Sequence, residues 1–253
     1  MKKNWKMDVT ALTASLVCQP TLRLAIESVN EFLPYSQILV YMPEKIWNSC
    51  FKTNRITINV TRRDIKNINT HIHDQYNYLY WYSVFMTNPS LWNSIYTSLV
   101  LVFQADTLLC HRLDVSFFIR EQYDYIGGAS LHYAKKHTII PQNIRYSLDS
   151  FFNVGIALHR REWTLNCSKA MKDVKLNEDA KWNRCTHMKV SAFDALNFAS
   201  DNGYTSCFTY NMTRYCPAAL HKPWRHASLE NLKELESHCP RLKEMHKIYK
   251  KNN

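Results

Sequence analysis

Two hydrophobic periods alternate along the first hundred residues. MDVTALTASL (7–16) is a short β-prone run. It is followed by QPTLRLAIESVNEFLP, in which Leu22, Ala25, Ile26, Val29, Phe32 and Leu33 recur at helical spacing. Thr21 is placed to cap this helix and Pro34 to stop it. QILVYMP (37–43) reads as a buried strand, and RITINVT (55–61) alternates Ile56, Ile58 and Val60 with the period of a strand. A polar, His-containing stretch leads into DQYNYLYWYSVFMTNPSLWNSI, which predicts a helix up to Asn88-Pro89, and SLVLVFQAD (98–106) is apolar again. The order is β-α-β-β-α-β, and continuous apolar strands belong to a sheet covered on both faces. An α/β fold with a Rossmann-like, mostly parallel central sheet flanked by helices is therefore expected.

The run SLVLVF ends on Gln104 and Asp106. In open α/β sheets ligands bind beyond the carboxyl ends of the strands, so Asp106 either sits over a ligand crevice or opens an ordinary solvated loop. Glycine is scarce, at four residues, and three of them fall in YDYIGGA (Gly127, Gly128) and FFNVGIALHRREW (Gly155). Close backbone approach to a ligand and plain turns after strands are both consistent with that placement. KLNEDAKWNRC carries the adjacent carboxylates Glu178 and Asp179. One of them can serve as a general base, although acidic residues are also favoured at a helix N-terminus by the dipole. AALHKPWRHA brings together His221, Lys222 and Trp224, as a metal ligand and aromatic platform or as ordinary structural residues.

The tail SLENLKELESHCPRLKEMHKIYKKNN places Leu229, Leu232, Leu235, Leu242, Met245 and Ile248 near helical spacing, broken by Pro240. It predicts an amphipathic helix or helix pair packed on the domain.

Composition narrows the partners more than the fold. At 253 residues and 46% hydrophobic, the chain is expected to form a single domain over 1–253, with a core of about 8–226 and a helical tail over 227–253. The formal charge of +11 suits an anionic ligand, but Lys and Arg are scattered and make no stripe of the kind that tracks nucleic acid. The eight cysteines form no C-x-x-C pair, and several lie in apolar stretches where a thiol acts as a small hydrophobe. With no apolar leader at the N-terminus and no membrane-length apolar run, a soluble, cytoplasmic chain with reduced thiols is the expectation. A lumenal location with an anchor elsewhere is the alternative. The sequons at Asn59, Asn166 and Asn211 matter only in a secreted chain.

VFQAD, NVGIAL, NED and HKPW, in this order, resemble the D-x-D, glycine loop, x-E-D and C-terminal His of GT-A-type glycosyltransferases. The closer resemblance is to a GT-A-like family catalogued as a domain of unknown function, with IFQ-x-D, YDYIG, E-D and HKPW motifs. LRLAIESVNEFLP and YNYLYW are similar to its N-terminal half, so the resemblance covers about residues 8 to 226. YDYIGG and HKPW at this separation are its most specific part.

The resemblance implies a sugar moved from a nucleotide-sugar donor, UDP- or GDP-linked, to a hydroxyl of a glycan or glycoconjugate, with Mn2+ or Mg2+ assisting. Asp106 and His221 would hold the metal. Gln104, Asp106, Thr13, Tyr76, Asn77, Asn153, Gly155, Lys222 and Trp224 would hold the donor. Asp179 would be the base of an inverting transfer, with Glu178 supporting it. Two departures stand out: Gln104 replaces the first carboxylate of D-x-D, and NVG has one glycine where the family has two. They leave room for a catalytically silent nucleotide-sugar or glycan-binding module. A basic nucleic-acid-binding protein is the third alternative, with no recognisable nucleic-acid motif behind it.

Overall fold

A computed structural model describes residues 9–54, 60–63, 75–129, 152–186, 190–201, 207–210, 212–225 and 227–252. The first half builds strands β1 (Val9–Ala14), β2 (Gln37–Tyr41), β3 (Thr61–Arg63) and β4 (Leu99–Phe103), with helices α1 (Leu22–Phe32), α2 (Glu44–Asn54), α3 (Gln75–Met86) and α4 (Pro89–Asn93) between them. β1 pairs in parallel with both β2 and β4, and β2 with β3. This gives the spatial order β3-β2-β1-β4 of a Rossmann half. Every residue of β1 and β4 is buried, as expected of strands covered on both faces.

The second half extends this sheet with β5 (Thr107–Leu109), β6 (Tyr125–Ala129), β7 (Phe152–Arg160), β8 (Ala199–Asp201) and β11 (Ala219–His221), in the full order β3-β2-β1-β4-β7-β6-β8-β11-β5. Within it, β7 runs antiparallel to β4 and β6, and β5 runs antiparallel to β11. The hairpin β9 (Phe208–Tyr210) and β10 (Thr213–Tyr215) stands apart. Helices α5 (Ser116–Arg120), α6 (Arg161–Ala170), α7 (Glu178–Cys185), α8 (Ala192–Phe198), α9 (Leu229–His238) and α10 (Leu242–Asn252) complete the layers. The sheet is mostly parallel, curled and flanked by helices, as the sequence predicts.

Local expectations meet mixed outcomes. α1 begins after Thr21, but the Thr21 side chain makes no capping hydrogen bond. Asn88 caps α4, its side chain accepting from the Ser90 amide, with Pro89 in the first turn. Most of the strand predicted at 55–61 lies outside the described residues, as do Asn59 and Asn211; Asn166 is exposed on α6. Gly127 and Gly128 are not in a turn: both lie inside β6, at a register shift against β7. The tail forms the predicted helix pair, burying Leu232, Leu235, Leu242 and Met245, but Leu229 stays 71% exposed because it opens α9 on the solvent side.

The thiol reading is overturned. Cys18–Cys50, Cys110–Cys239, Cys167–Cys185 and Cys207–Cys216 are disulfides, and none of the eight cysteines is free. They bring together positions up to 129 residues apart, which spacing rules cannot register. The argument from reduced thiols to a reducing compartment is thereby lost. Among the described residues no helix is long and apolar enough to cross a membrane.

Candidate active site

The carboxyl end of β4 turns sharply into β5, and β7 holds that corner. The Gly155 carbonyl accepts from the Gln104 amide at 2.9 Å and from the Thr107 hydroxyl at 2.7 Å. Gly155 reaches this position because β7 leaves its ladder with β6: Gly127 pairs with Ala157, but Gly128 pairs with Asn153. The Asn153 side chain closes the turn by accepting from the Gly155 amide at 2.7 Å. A Cβ at Gly155 would overlap Cγ, Nδ1 and Cε1 of His221. The glycine thus makes room for a histidine from a strand elsewhere in the sheet.

His221 ends β11, facing Thr107 of β5 on one side and Asp201 of β8 on the other. Its Nδ1 lies 2.6 Å from Asp201 Oδ1, and both side chains are almost fully buried. Its Nε2 faces two oxygens at 3.2 Å, Gln104 Oε1 and Asp106 Oδ1. The approach to Asp106 has the distance of an ion pair without hydrogen-bond alignment, so Asp106 Oδ1 is buried with no hydrogen-bond partner. Lys222 reaches Asp106 Oδ2 at 3.2 Å, from a backbone in the left-handed region (φ 47°) that a lysine rarely adopts. Asp106 and Lys222 are the open part of the cluster, with side chains 19% and 22% exposed, above a closed His221 floor.

Electrostatics bind the group together. Burial disfavours the Asp106 carboxylate, but His221 and Lys222 beside it overcome that and hold its pKa well below the usual range. Burial likewise opposes the His221 imidazolium, yet the nearby Asp106 charge and the hydrogen bond to Asp201 raise its pKa. In the imidazolium form, a proton on Nε2 occupies the point on which Gln104 and Asp106 converge.

Those atoms also fit a divalent cation. Two oxygens and an imidazole nitrogen form a donor set that hard divalent ions accept. Neighbouring donors around a six-coordinate ion of Mg2+ size stand about 3 Å apart, close to the spacing around Nε2. Asp201 would take the carboxylate position behind a metal-bound histidine. A different cluster of metal-ligating types, Cys207, Cys216 and His238, has its two sulfurs joined in a disulfide.

Glu178 and Asp179 form the first turn of α7, which Asn177 caps by accepting from the Ala180 amide. Glu178 is buried and accepts from the Ser83 hydroxyl of α3, and burial raises its pKa. Asp179 is half-buried. Asn183 ties this helix to the start of β7, pairing with both the amide and carbonyl of Phe152 at 3.1 Å and donating to the Asp179 carbonyl. Tyr125 of β6 feels the charges of both groups. Burial pushes its pKa well above the usual value, and Asp179, Glu178 and Asp201 all add to the shift.

The structure therefore brings together Gln104, Asp106, Asn153, Gly155, His221 and Lys222, with Glu178 and Asp179 on a neighbouring helix. Thr13 is buried near the carboxyl end of β1, one residue past the Leu12–Val102 register pair, which puts it beside the strand that leads to Gln104. Tyr76 and Asn77 lie in the first turn of α3, and their side chains are outside the described residues. Trp224 packs against the tail, its ring 4.9 Å from Tyr249 and stacked with His246. Asp201 was not among the expected site residues. Its signal is one carboxylate in a three-residue strand, partnered across twenty positions of sequence.

A family model described as "Protein of unknown function (DUF5672)" matches residues 64–221. A search of curated protein sequences finds no match. Among solved structures, the chain is similar to the apo form of WbbM, a bifunctional glycosyltransferase, with a TM-score of 0.53 and 12% identity over 98% of this chain and 53% of that one. The chain spans about half the length of that structure. At this identity the likeness is one of fold: the architecture is that of a glycosyltransferase structure.

Proposed function

We propose that this chain, which belongs to the DUF5672 family, is a GT-A-type glycosyltransferase that takes a sugar from a nucleotide-sugar donor. The observation that carries the reading is the convergence of Gln104 Oε1, Asp106 Oδ1 and His221 Nε2 at the carboxyl edge of a Rossmann-like sheet, with Lys222 beside them. Gln104, Asp106 and His221 would hold Mn2+ or Mg2+. Bound there, the ion supplies positive charge to a diphosphate leaving group. With His221 neutral, two carboxylates against one ammonium leave the cluster one negative charge, which a divalent ion reverses to one positive. Lys222 sits at the open side, where it would meet a phosphate oxygen.

Asp179 would take the proton from the acceptor hydroxyl as its oxygen bonds to the anomeric carbon and the bond from that carbon to the diphosphate breaks on the opposite face, releasing the nucleoside diphosphate and giving inversion. Glu178, anchored by Ser83, braces the helix start that presents it. The neutral Gln104 in place of a carboxylate favours one second reading, a module that binds a nucleotide sugar without transferring it.

The test is a thermal-shift panel of UDP-, GDP-, CMP- and dTDP-sugars, each with Mn2+ and with EDTA. A native-state ligand raises the Tm by mass action. A Mn2+-dependent rise with one nucleotide, lost in Asp106→Ala and His221→Ala, is the expected result and names the base. Release of nucleotide in the presence of acceptor separates transfer from silent binding. No shift with any donor overturns the reading.

A further inference from the structure

We propose that Asp201 is the positioning residue that makes His221 a cation ligand; this rests on the donor-site reading above. Asp201 and His221 are register partners on the parallel strands β8 and β11, so their side chains leave the sheet side by side. Nδ1 and Oδ1 meet at 2.6 Å, with each residue 2% exposed. A carboxylate this buried needs a partner, since an unpaired one costs several kcal/mol.

The backbone is shaped around the pair. Gly155 lacks the Cβ that would overlap the imidazole, and a Cβ at Gly128 would stand 3.1 Å from the Asp201 Cβ. Two of the four glycines thus border this one hydrogen bond.

The consequence is chemical. In the neutral imidazole, with Nδ1–H donated to Asp201, the Nε2 lone pair points toward Gln104 Oε1 and Asp106 Oδ1, each 3.2 Å away. Three lone pairs on one point repel unless a positive charge sits there, either the second proton of an imidazolium or a metal cation that displaces it. Without Asp201, the neutral imidazole is free to carry its one proton on Nε2 and donate it to Gln104, which closes the seat. Carboxylates behind metal-bound histidines typically change metal affinity by about 10–100-fold.

The experiment is a Mn2+ titration of the full chain, with free Mn2+ read by electron paramagnetic resonance, for wild type, Asp106→Ala, Asp201→Asn and Asp201→Ala. The Tm of each is measured in EDTA. Wild type is expected to bind one Mn2+ and Asp106→Ala none. Asp201→Asn, which still accepts the Nδ1 proton without the charge, should bind about tenfold more weakly, and Asp201→Ala about a hundredfold. A purely structural Asp201 would lower the Tm in EDTA and leave the Mn2+ affinity of the folded protein unchanged, which would overturn the proposal. If Asp201→Ala does not fold, Asp201→Asn decides. Failure of wild type to bind Mn2+ removes the donor-site reading, and this proposal with it. Equal binding by wild type and Asp201→Asn, with none by Asp106→Ala, removes only the role of Asp201.

Discussion

The His221 ring fills the space that a side chain at Gly155 would need. The two residues lie on different strands, β7 and β11, and the contact sets where the imidazole can stand relative to Gln104 and Asp106. Gly155→Ala should therefore displace the histidine before it disturbs the sheet. A stability loss of about 1–3 kcal/mol is expected from overpacking, with Mn2+ and donor binding lost. Urea unfolding and the Mn2+ titration read the two effects separately. Unchanged Mn2+ affinity in a folded Gly155→Ala protein would show that the position of His221 does not matter.

The two carboxylates of α7 should separate by role. Asp179→Asn is expected to leave the donor-dependent thermal shift intact while turnover falls by about 10²–10⁴, the usual worth of a general base. Glu178→Gln should act mainly on stability, because Glu178 is buried against Ser83. If Asp179→Asn turns over at the wild-type rate, the base lies elsewhere.

Much of the fold was legible because burial imposes a period. β1 is a β-prone run, β2 and β4 are apolar runs, α1 keeps its stripe, and Pro240 separates the two tail helices. α2 was not foreseen: EKIWNSCFKTN mixes polar and aromatic positions without a clean stripe. Within the site, Asp106 was legible because a strand led to it. Asp201 was not, because its meaning comes from a register partner on another strand. The cysteines failed for the same reason, since sequence spacing carries no information about which distant thiols meet.

The Cys110–Cys239 bond anchors the tail to the edge strand β5, across 129 residues of chain. In the chain-entropy account, closing a loop of that length is worth about 5 kcal/mol. Cys110→Ser with Cys239→Ser should lower the Tm markedly, and the native protein should show no titratable thiol until reduced and unfolded. Eight reactive thiols in the native protein would refute the pairing.

His159 gives the protein a specific acid sensitivity. It is fully buried on β7 among Trp92, Tyr125 and Trp182, and burial pushes its pKa down from 6.5 to about 3. The unfolded chain therefore takes up a proton that the folded chain refuses. The stability present above pH 6.5 is lost progressively as pH falls from 6.5 toward about 3. At pH 5 the gap is about 1.5 units, or about 2 kcal/mol. His159→Gln starts from a lower stability, since it disturbs the aromatic cluster, but it lacks the proton uptake. Between pH 7.5 and 5, wild type should lose about 2 kcal/mol more than His159→Gln in urea unfolding. Equal losses in the two proteins would mean that His159 becomes protonated without unfolding.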